Sequence, residues 1–170
     1  EAPPPAAPAL DKAAIRADAE AELGRFLAGP ARIELGRGGA TPAVSVIVVM
    51  FNQAGLTRLC LQALADSRGV AFETLLVDNG SSDRVPALLQ RVDGATVLRP
   101  GENLGFLRAV NLAAAQARGR HLLLLNNDAL VEPGTLAAAV ARLDADPGAA
   151  AVGGPILLWD GRLQEAGSII

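Results

Sequence analysis

Tyrosine is absent from this chain of 170 residues, and cysteine, histidine, methionine and tryptophan occur once each. A single Cys60 rules out a disulfide framework or a multi-cysteine metal site within the chain, and fits a reducing compartment. Aromatic residues make up 3% of the sequence and leave few platforms for stacking bases. The net charge is -3 and no basic stripe is present, so a nucleic-acid partner is not expected. Apolar runs stay well short of the roughly 20 residues that cross a bilayer. The N-terminus also lacks the basic-then-apolar order of a signal peptide. These absences predict a cytoplasmic protein without a transmembrane segment, at most peripheral to the inner face of the membrane. What remains is the composition of an ordinary globular domain, 51% hydrophobic and 19% charged.

The chain opens with Glu1 rather than Met, in a Pro/Ala-rich stretch of linker composition, and this predicts a piece of a longer protein with further domains. Ile15, Ala19, Leu23, Phe26 and Leu27 then recur at helical spacing until Gly29-Pro30 ends the pattern. Its mixed-sign polar face suits packing on a neighbouring surface better than lying on anionic lipid. Residues 1–41 are therefore expected to be linker plus amphipathic helix, and 42–170 the main domain.

From Val44 onward strands and helices alternate. Val44–Met50 is β-branched, and Leu56, Leu59, Cys60, Ala63 and Leu64 mark one face of a helix. Phe72–Val77 predicts the next strand. A short helix follows with Val85, Leu88, Leu89 and Val92 on its apolar side, Ser82 as its cap and Pro86 in its first turn. Thr96–Leu98 predicts a third strand. Phe106, Leu107, Val110, Ala114 and Ala117 predict a third helix, ending at Gly119. His121–Leu125 is a fourth strand, expected to be buried on both faces because Leu122 to Leu125 do not alternate with polar residues. Leu136, Ala139, Val140 and Leu143 mark a last helix between Pro133 and Asp146-Pro147-Gly148, followed by a short strand near Ala150. Asp160-Gly161 between two apolar runs signals a C-terminal β-hairpin. Such alternation predicts a three-layer α/β/α fold with a mostly parallel, Rossmann-like sheet.

Two strand endings carry the chemistry. Leu122–Leu125 stops on Asn126-Asn127-Asp128, and Thr74–Val77 stops on Asp78. In open α/β sheets, ligands bind outside the carboxyl ends of the strands, so carboxylates there point toward a site. A dinucleotide fold would need a G-x-G-x-x-G turn after the first strand; Met50-Phe51-Asn52-Gln53-Ala54-Gly55 offers one glycine there, and no phosphate-cradling G-x-x-x-x-G-K-[ST] loop occurs.

Four segments resemble, in order and spacing, the family 2 glycosyltransferases of the GT-A fold, most nearly the rhamnosyltransferase-like branch. They are Ser45-Val-Ile-Val-Val-Met-Phe51-Asn52, Leu76-Val-Asp78-Asn-Gly-Ser-Ser-Asp83, Asn103-Leu-Gly105-Phe-Leu-Arg108-Ala-Val-Asn111 and Leu124-Leu-Asn126-Asn127-Asp128. The resemblance covers roughly Pro42 to Ser168 and implies an inverting transfer of sugar from a nucleotide-sugar donor, such as a UDP- or dTDP-sugar, to a saccharide or lipid-linked acceptor. It implies a divalent cation, Mg²⁺ or Mn²⁺, on Asp128, the last acid of the family's Asp-x-Asp motif. Asn126 replaces the first acid and offers a neutral oxygen. Nucleotide-sugar-binding residues carried over by the resemblance are Phe51 and Asp78 at the base and ribose, Arg108 near the diphosphate, and Asn52 and Asn127 beside the strand ends. Asp83 is expected to be a turn or cap residue, Gly105 to allow close packing at a helix start, and His121 to be structural. The catalytic base of an inverting enzyme removes the acceptor's proton. The acids after Asp128, namely Glu132, Asp144, Asp146, Asp160 and Glu165, do not match the family's base motif. That residue is therefore expected outside this chain, which alone should be inactive as a transferase. The alternative is a non-catalytic α/β module that binds nucleotide or protein.

Overall fold

Apolar runs became strands and apolar stripes became helices in the computed structural model, which describes residues 11–36 and 41–166. The linker expected at the extreme N-terminus lies outside the described residues. Asp11 accepts hydrogen bonds from the Ala13 and Ala14 N–H groups, both at 3.0 Å, and so starts α1 (Lys12–Ala28). There follow β1 (Ile33–Glu34), β2 (Val44–Met50), α2 (Ala54–Ala65), β3 (Phe72–Asp78), α3 (Val85–Leu89), β4 (Val92–Asp93), β5 (Thr96–Leu98) and α4 (Phe106–Ala114). The described chain closes with β6 (His121–Asn126), α5 (Thr135–Ala145), β7 (Ile156–Leu157) and β8 (Leu163–Glu165).

The central sheet is parallel throughout, in the order β5-β3-β2-β6. The chain runs outward from β2 through β3 to β5, then returns to the other side of β2 as β6. This reversal leaves a crevice outside the carboxyl ends of β2 and β6, the place where doubly wound sheets hold ligands. Val46, Val48, Met50, Phe72 and Leu76 form the larger core with Cys60, Leu61 and Leu64 of α2, Leu23 of α1 and Leu88 of α3. The opposite face buries Ile47, Leu75 and Val77 under Ala109, Val110 and Ala113 of α4. Helices thus cover both faces, as the βα alternation predicts. The amphipathic stripe of α1 packs on α2, with Ala19 and Leu23 buried.

Several local expectations change. β6 is not buried on both faces: it is an edge strand, and α4 packs on β2 and β3 instead. Leu122 and Leu124 on that side are 52% and 50% exposed, whereas Leu125 turns into the larger core. The buried stripe of α4 is Ala109, Val110 and Ala113, small residues that allow close approach to the sheet; Phe106 and Leu107 stay outside. Val92 belongs to β4, paired in parallel with Ile33, rather than to α3. Gly94 makes this pairing possible, since a Cβ there would lie 2.6 Å from the Gly36 nitrogen. No strand forms near Ala150. The C-terminal hairpin does form, with Leu157 opposite Leu163.

Candidate functional site

Register sets the site. β3 ends at Asp78 opposite Met50, and β6 ends at Asn126 opposite Val49, so the two polar endings flank β2 on either side. With neighbouring strands about 4.8 Å apart, the endings stand about 10 Å from each other across the carboxyl edge. Phe51 and Asn52 lie between them, and Phe51 is half exposed.

The β2–α2 loop is held in an unusual shape. Asn52 and Gln53 both adopt left-handed backbone, with φ of 61° and 62°. Such conformations cost about 1–3 kcal/mol for residues other than glycine and persist only where neighbours over-determine them. Here the neighbours are explicit. The Asn52 N–H donates to Ser81 Oγ at 3.0 Å, its side-chain oxygen accepts from the Ser82 N–H at 2.8 Å, and its carbonyl accepts from Asn127 Nδ2 at 3.1 Å. The Gln53 carbonyl accepts from both the N–H and the hydroxyl of Thr57, at 2.9 and 3.0 Å.

Asp78 is buried at the end of β3 and closes its own loop, accepting from the Ser81 N–H at 3.0 Å. Asn79 ties this loop to the one before α4: its N–H donates to the Met50 carbonyl at 2.9 Å, its amide donates to Asn103 Oδ1 at 3.0 Å, and its side-chain oxygen accepts from the Leu104 N–H at 2.9 Å. Asn103 Oδ1 also accepts from the Gly105 N–H at 2.8 Å. Gly105 is needed for a reason other than close packing. Its φ is 72°, while nothing lies within 4 Å of where a Cβ would stand, so the requirement is conformational. Arg108 is exposed on the first turn of the helix that this glycine opens.

Asp83 is a double cap. One carboxylate oxygen accepts from the Ala54 N–H of α2 at 2.9 Å and the other from the Val85 N–H of α3 at 3.0 Å. Ser82, expected as the α3 cap, instead serves the Asn52 side chain. With Asp83 on the Ala54 amide and Glu20 of α1 on the Gly55 amide, the N-terminus of α2 is not free to receive a phosphate.

At the other ending, Asn126 to Ala129 form a turn in which the Asn126 carbonyl accepts from the Ala129 N–H at 3.1 Å and from the Cys60 thiol at 3.5 Å. The turn throws alternate side chains in opposite directions. Asn127 points inward, where its Nδ2 also donates to Thr57 Oγ1 at 2.8 Å. Asn126 and Asp128 are exposed. Burial pushes the Cys60 thiol up to about 12, and the negative charge of Asp128 adds to that rise. Among the described residues, no three His, Cys, Asp or Glu side chains gather as a metal cage. Asp128, with Asn126 two residues before it, could serve a hard cation of the kind that keeps waters and takes phosphate oxygens as its other ligands.

His121 starts its strand at the far end of the sheet, with Nε2 3.4 Å from Asp144, which also pairs with Arg120. Asp146 pairs with Arg142 and Asp160 with Arg162. Motif reading did not find the restraints contributed by Ser81, Ser82, Asn79 and Thr57. The Asp78-Asn-Gly-Ser-Ser-Asp83 string signals the first three of these, and Thr57 carries no local signal.

Comparison with known proteins shows the family and the fold. The family model described as glycosyl transferase family 2 matches residues 45–158. The O-antigen biosynthesis protein RfbC of Myxococcus xanthus is 36% identical over 135 residues, covering 76% of this chain and 10% of that protein. Among solved structures, the mannosyltransferase PcManGT from Pyrobaculum calidifontis, in complex with GDP-Man and Mn²⁺, superposes with a TM-score of 0.57 at 27% identity. That match covers 79% of this chain and 42% of PcManGT. S. aureus TarS 1-349 in complex with UDP-GlcNAc gives a TM-score of 0.55 at 27% identity, over 60% of this chain and 31% of TarS. The chain thus spans less than half the length of each of these proteins.

Proposed function

Because this chain belongs to glycosyl transferase family 2, we propose that it is the donor-binding part of an inverting glycosyltransferase that moves sugar from a nucleotide diphosphate to a saccharide or lipid-linked hydroxyl. The observation that carries this is the pair of acidic strand endings, Asp78 and Asn126-Asn127-Asp128, on either side of the restrained Phe51-Asn52 loop at the point where strand order reverses. The nucleotide sugars in the TarS and PcManGT complexes support a donor of that class, and the Mn²⁺ in PcManGT supports a divalent cation. RfbC, a protein of O-antigen biosynthesis, supports a role in polysaccharide assembly. Among the described residues no helix is long and apolar enough to cross a membrane.

In this reading the base lies against Phe51, the ribose meets Asp78, and the diphosphate extends toward Asp128 and Arg108. Asp128 holds the cation, with Asn126 offering a neutral oxygen. When bound, that cation offsets the charge that gathers on the leaving diphosphate. Arg108 brings a permanent positive charge that suits phosphate oxygens. Asn52 and Asn127 act through the loop: each is bonded within the protein and keeps Phe51 in place. Of the acids after Asp128, Asp144, Asp146 and Asp160 are committed to ion pairs, and Asp144 is paired with residues at the opposite end of the sheet. Glu132 and Glu165 do not match the family's base motif, and in this reading the general base lies outside this chain, which alone binds donor without turning it over.

A thermal-shift series with UDP-, dTDP- and GDP-sugars, each with Mn²⁺, Mg²⁺ or chelator, tests the reading. Ligand at about 100 times its Kd adds about 2.7 kcal/mol, or roughly 5–10 °C for a domain of this size. The shift should need metal and disappear in Asp128→Asn. If no nucleotide raises the transition, or the metal-dependent part survives Asp128→Asn, the site assignment fails.

A further inference from the structure

The N-terminal helix lies outside the matched segment, which starts at residue 45, yet it reaches the loop beside the site. Glu20 of α1 accepts the Gly55 N–H at 2.7 Å. The Arg84 guanidinium holds that same carboxylate and donates to the Glu20 carbonyl at 2.9 Å. Backbones touch here: a Cβ on Gly55 would stand 2.7 Å from the Ala19 carbonyl carbon and from the Glu20 nitrogen. The first two amides of α2 therefore end on carboxylates from two other elements, Ala54 on Asp83 and Gly55 on Glu20. Directly before them stand Asn52 and Gln53, in left-handed backbone that must be held from outside. A second tie between the same helices sits farther along α2, where Arg58 pairs with Glu22 and stacks 5.9 Å from the Phe26 ring centre. That tie bonds to neither Asn52 nor Gln53.

We propose that Glu20 is a positioning residue for the donor nucleotide: by pinning the first turn of α2 to α1, it keeps Asn52 and Gln53 in the conformation that sets Phe51 beside the base. This rests on the donor-site reading above. α1 is then part of the nucleotide site rather than a tether. Loss of the Glu20 contact with the first turn of α2 lowers donor affinity without touching a ligand-contacting residue.

The test compares Glu20→Ala, Glu20→Gln and Glu22→Ala in the whole chain. One readout is amide hydrogen exchange at residues 52–55 without nucleotide. The other is calorimetric affinity for UDP, dTDP and GDP, each with Mn²⁺. Losing a charged acceptor for a backbone N–H is expected to speed exchange at Ala54 and Gly55 about tenfold in Glu20→Ala and to weaken nucleotide binding several-fold. Glu20→Gln keeps an acceptor and should recover part of both. Glu22→Ala loosens the same helix pair but should leave both readouts at wild type. The proposal is overturned if Glu20→Ala changes neither, or if Glu22→Ala moves them as far. A wild-type chain that takes none of the three nucleotides overturns the donor reading, whereas binding that Glu20→Ala leaves unchanged overturns the positioning role alone.

Discussion

Replacing Gly55 with alanine sets two familiar effects against each other. Within a helix, Gly→Ala normally stabilises by up to about 1 kcal/mol, because glycine carries the larger backbone entropy cost. At Gly55, however, the added methyl would lie 2.7 Å from the Ala19 carbonyl carbon, 2.7 Å from the Glu20 nitrogen and 2.8 Å from the Ala19 oxygen. All three are backbone atoms, so no side chain can swing away and α1 itself must retreat. Overpacking of that kind costs about 1–3 kcal/mol. Retreat also stretches the 2.7 Å bond from Gly55 to Glu20, worth about 1.5–3 kcal/mol when the acceptor is charged. The propensity gain is smaller than either loss, so Gly55→Ala should destabilise by about 2–3 kcal/mol. Urea unfolding followed by far-UV circular dichroism measures it, and with a slope of about 1–3 kcal/mol per molar the midpoint should fall by about 1 M or more. A midpoint that stays put or rises would show that α1 does not rest on α2 as described, and would remove the physical basis for coupling Glu20 to the loop.

Other outcomes follow from the same contacts. Asn127→Ala leaves the buried Thr57 hydroxyl without its donor and frees the Asn52 carbonyl, so it should cost about 1–3 kcal/mol in urea unfolding; a cost below about 0.5 kcal/mol would mean that the amide does not hold the loop. Burial works against the Glu73 carboxylate, but bonds from Ser45 and from the Arg118 backbone and guanidinium outweigh it and hold the group below the ordinary 4.5. A depressed carboxylate stabilises fully above its unfolded value and loses that contribution as pH falls through the folded one. The unfolding midpoint should therefore drop below about pH 4.5, and less steeply in Glu73→Gln; equal slopes would refute this. With its thiol near 12, Cys60 is about one part in ten thousand thiolate at pH 8. It should react with a disulfide reagent only as the protein unfolds, and prompt labelling of the native chain would contradict its burial.

How far the sequence could be read depended on whether the cause was local. The βα alternation and the two polar strand endings are legible because strand length, helical spacing and the carboxyl-edge position of ligands are properties of short segments or of the fold class. The misread burial of β6 has a different origin. A run of leucines states that a strand is apolar, but whether both faces are covered depends on which strands α4 crosses, and that is decided by the connection from β5. Gly105 shows the same limit at one residue: sequence marks a glycine, while only the backbone tells whether space or φ demands it.

The restraints around Asn52 were the least legible part, because they join residues 29, 30 and 75 positions apart. Serine, threonine and asparagine are ordinary loop residues until the fold brings them together. That has a consequence for how the site works. The groups expected to touch a donor are few, namely the exposed Phe51, Arg108 and Asp128 and the buried Asp78, whereas the groups that hold them are many and bonded within the protein. A substitution in the second set can weaken donor binding as much as one in the first, since a base-contacting residue is useful only where its loop is fixed before the ligand arrives.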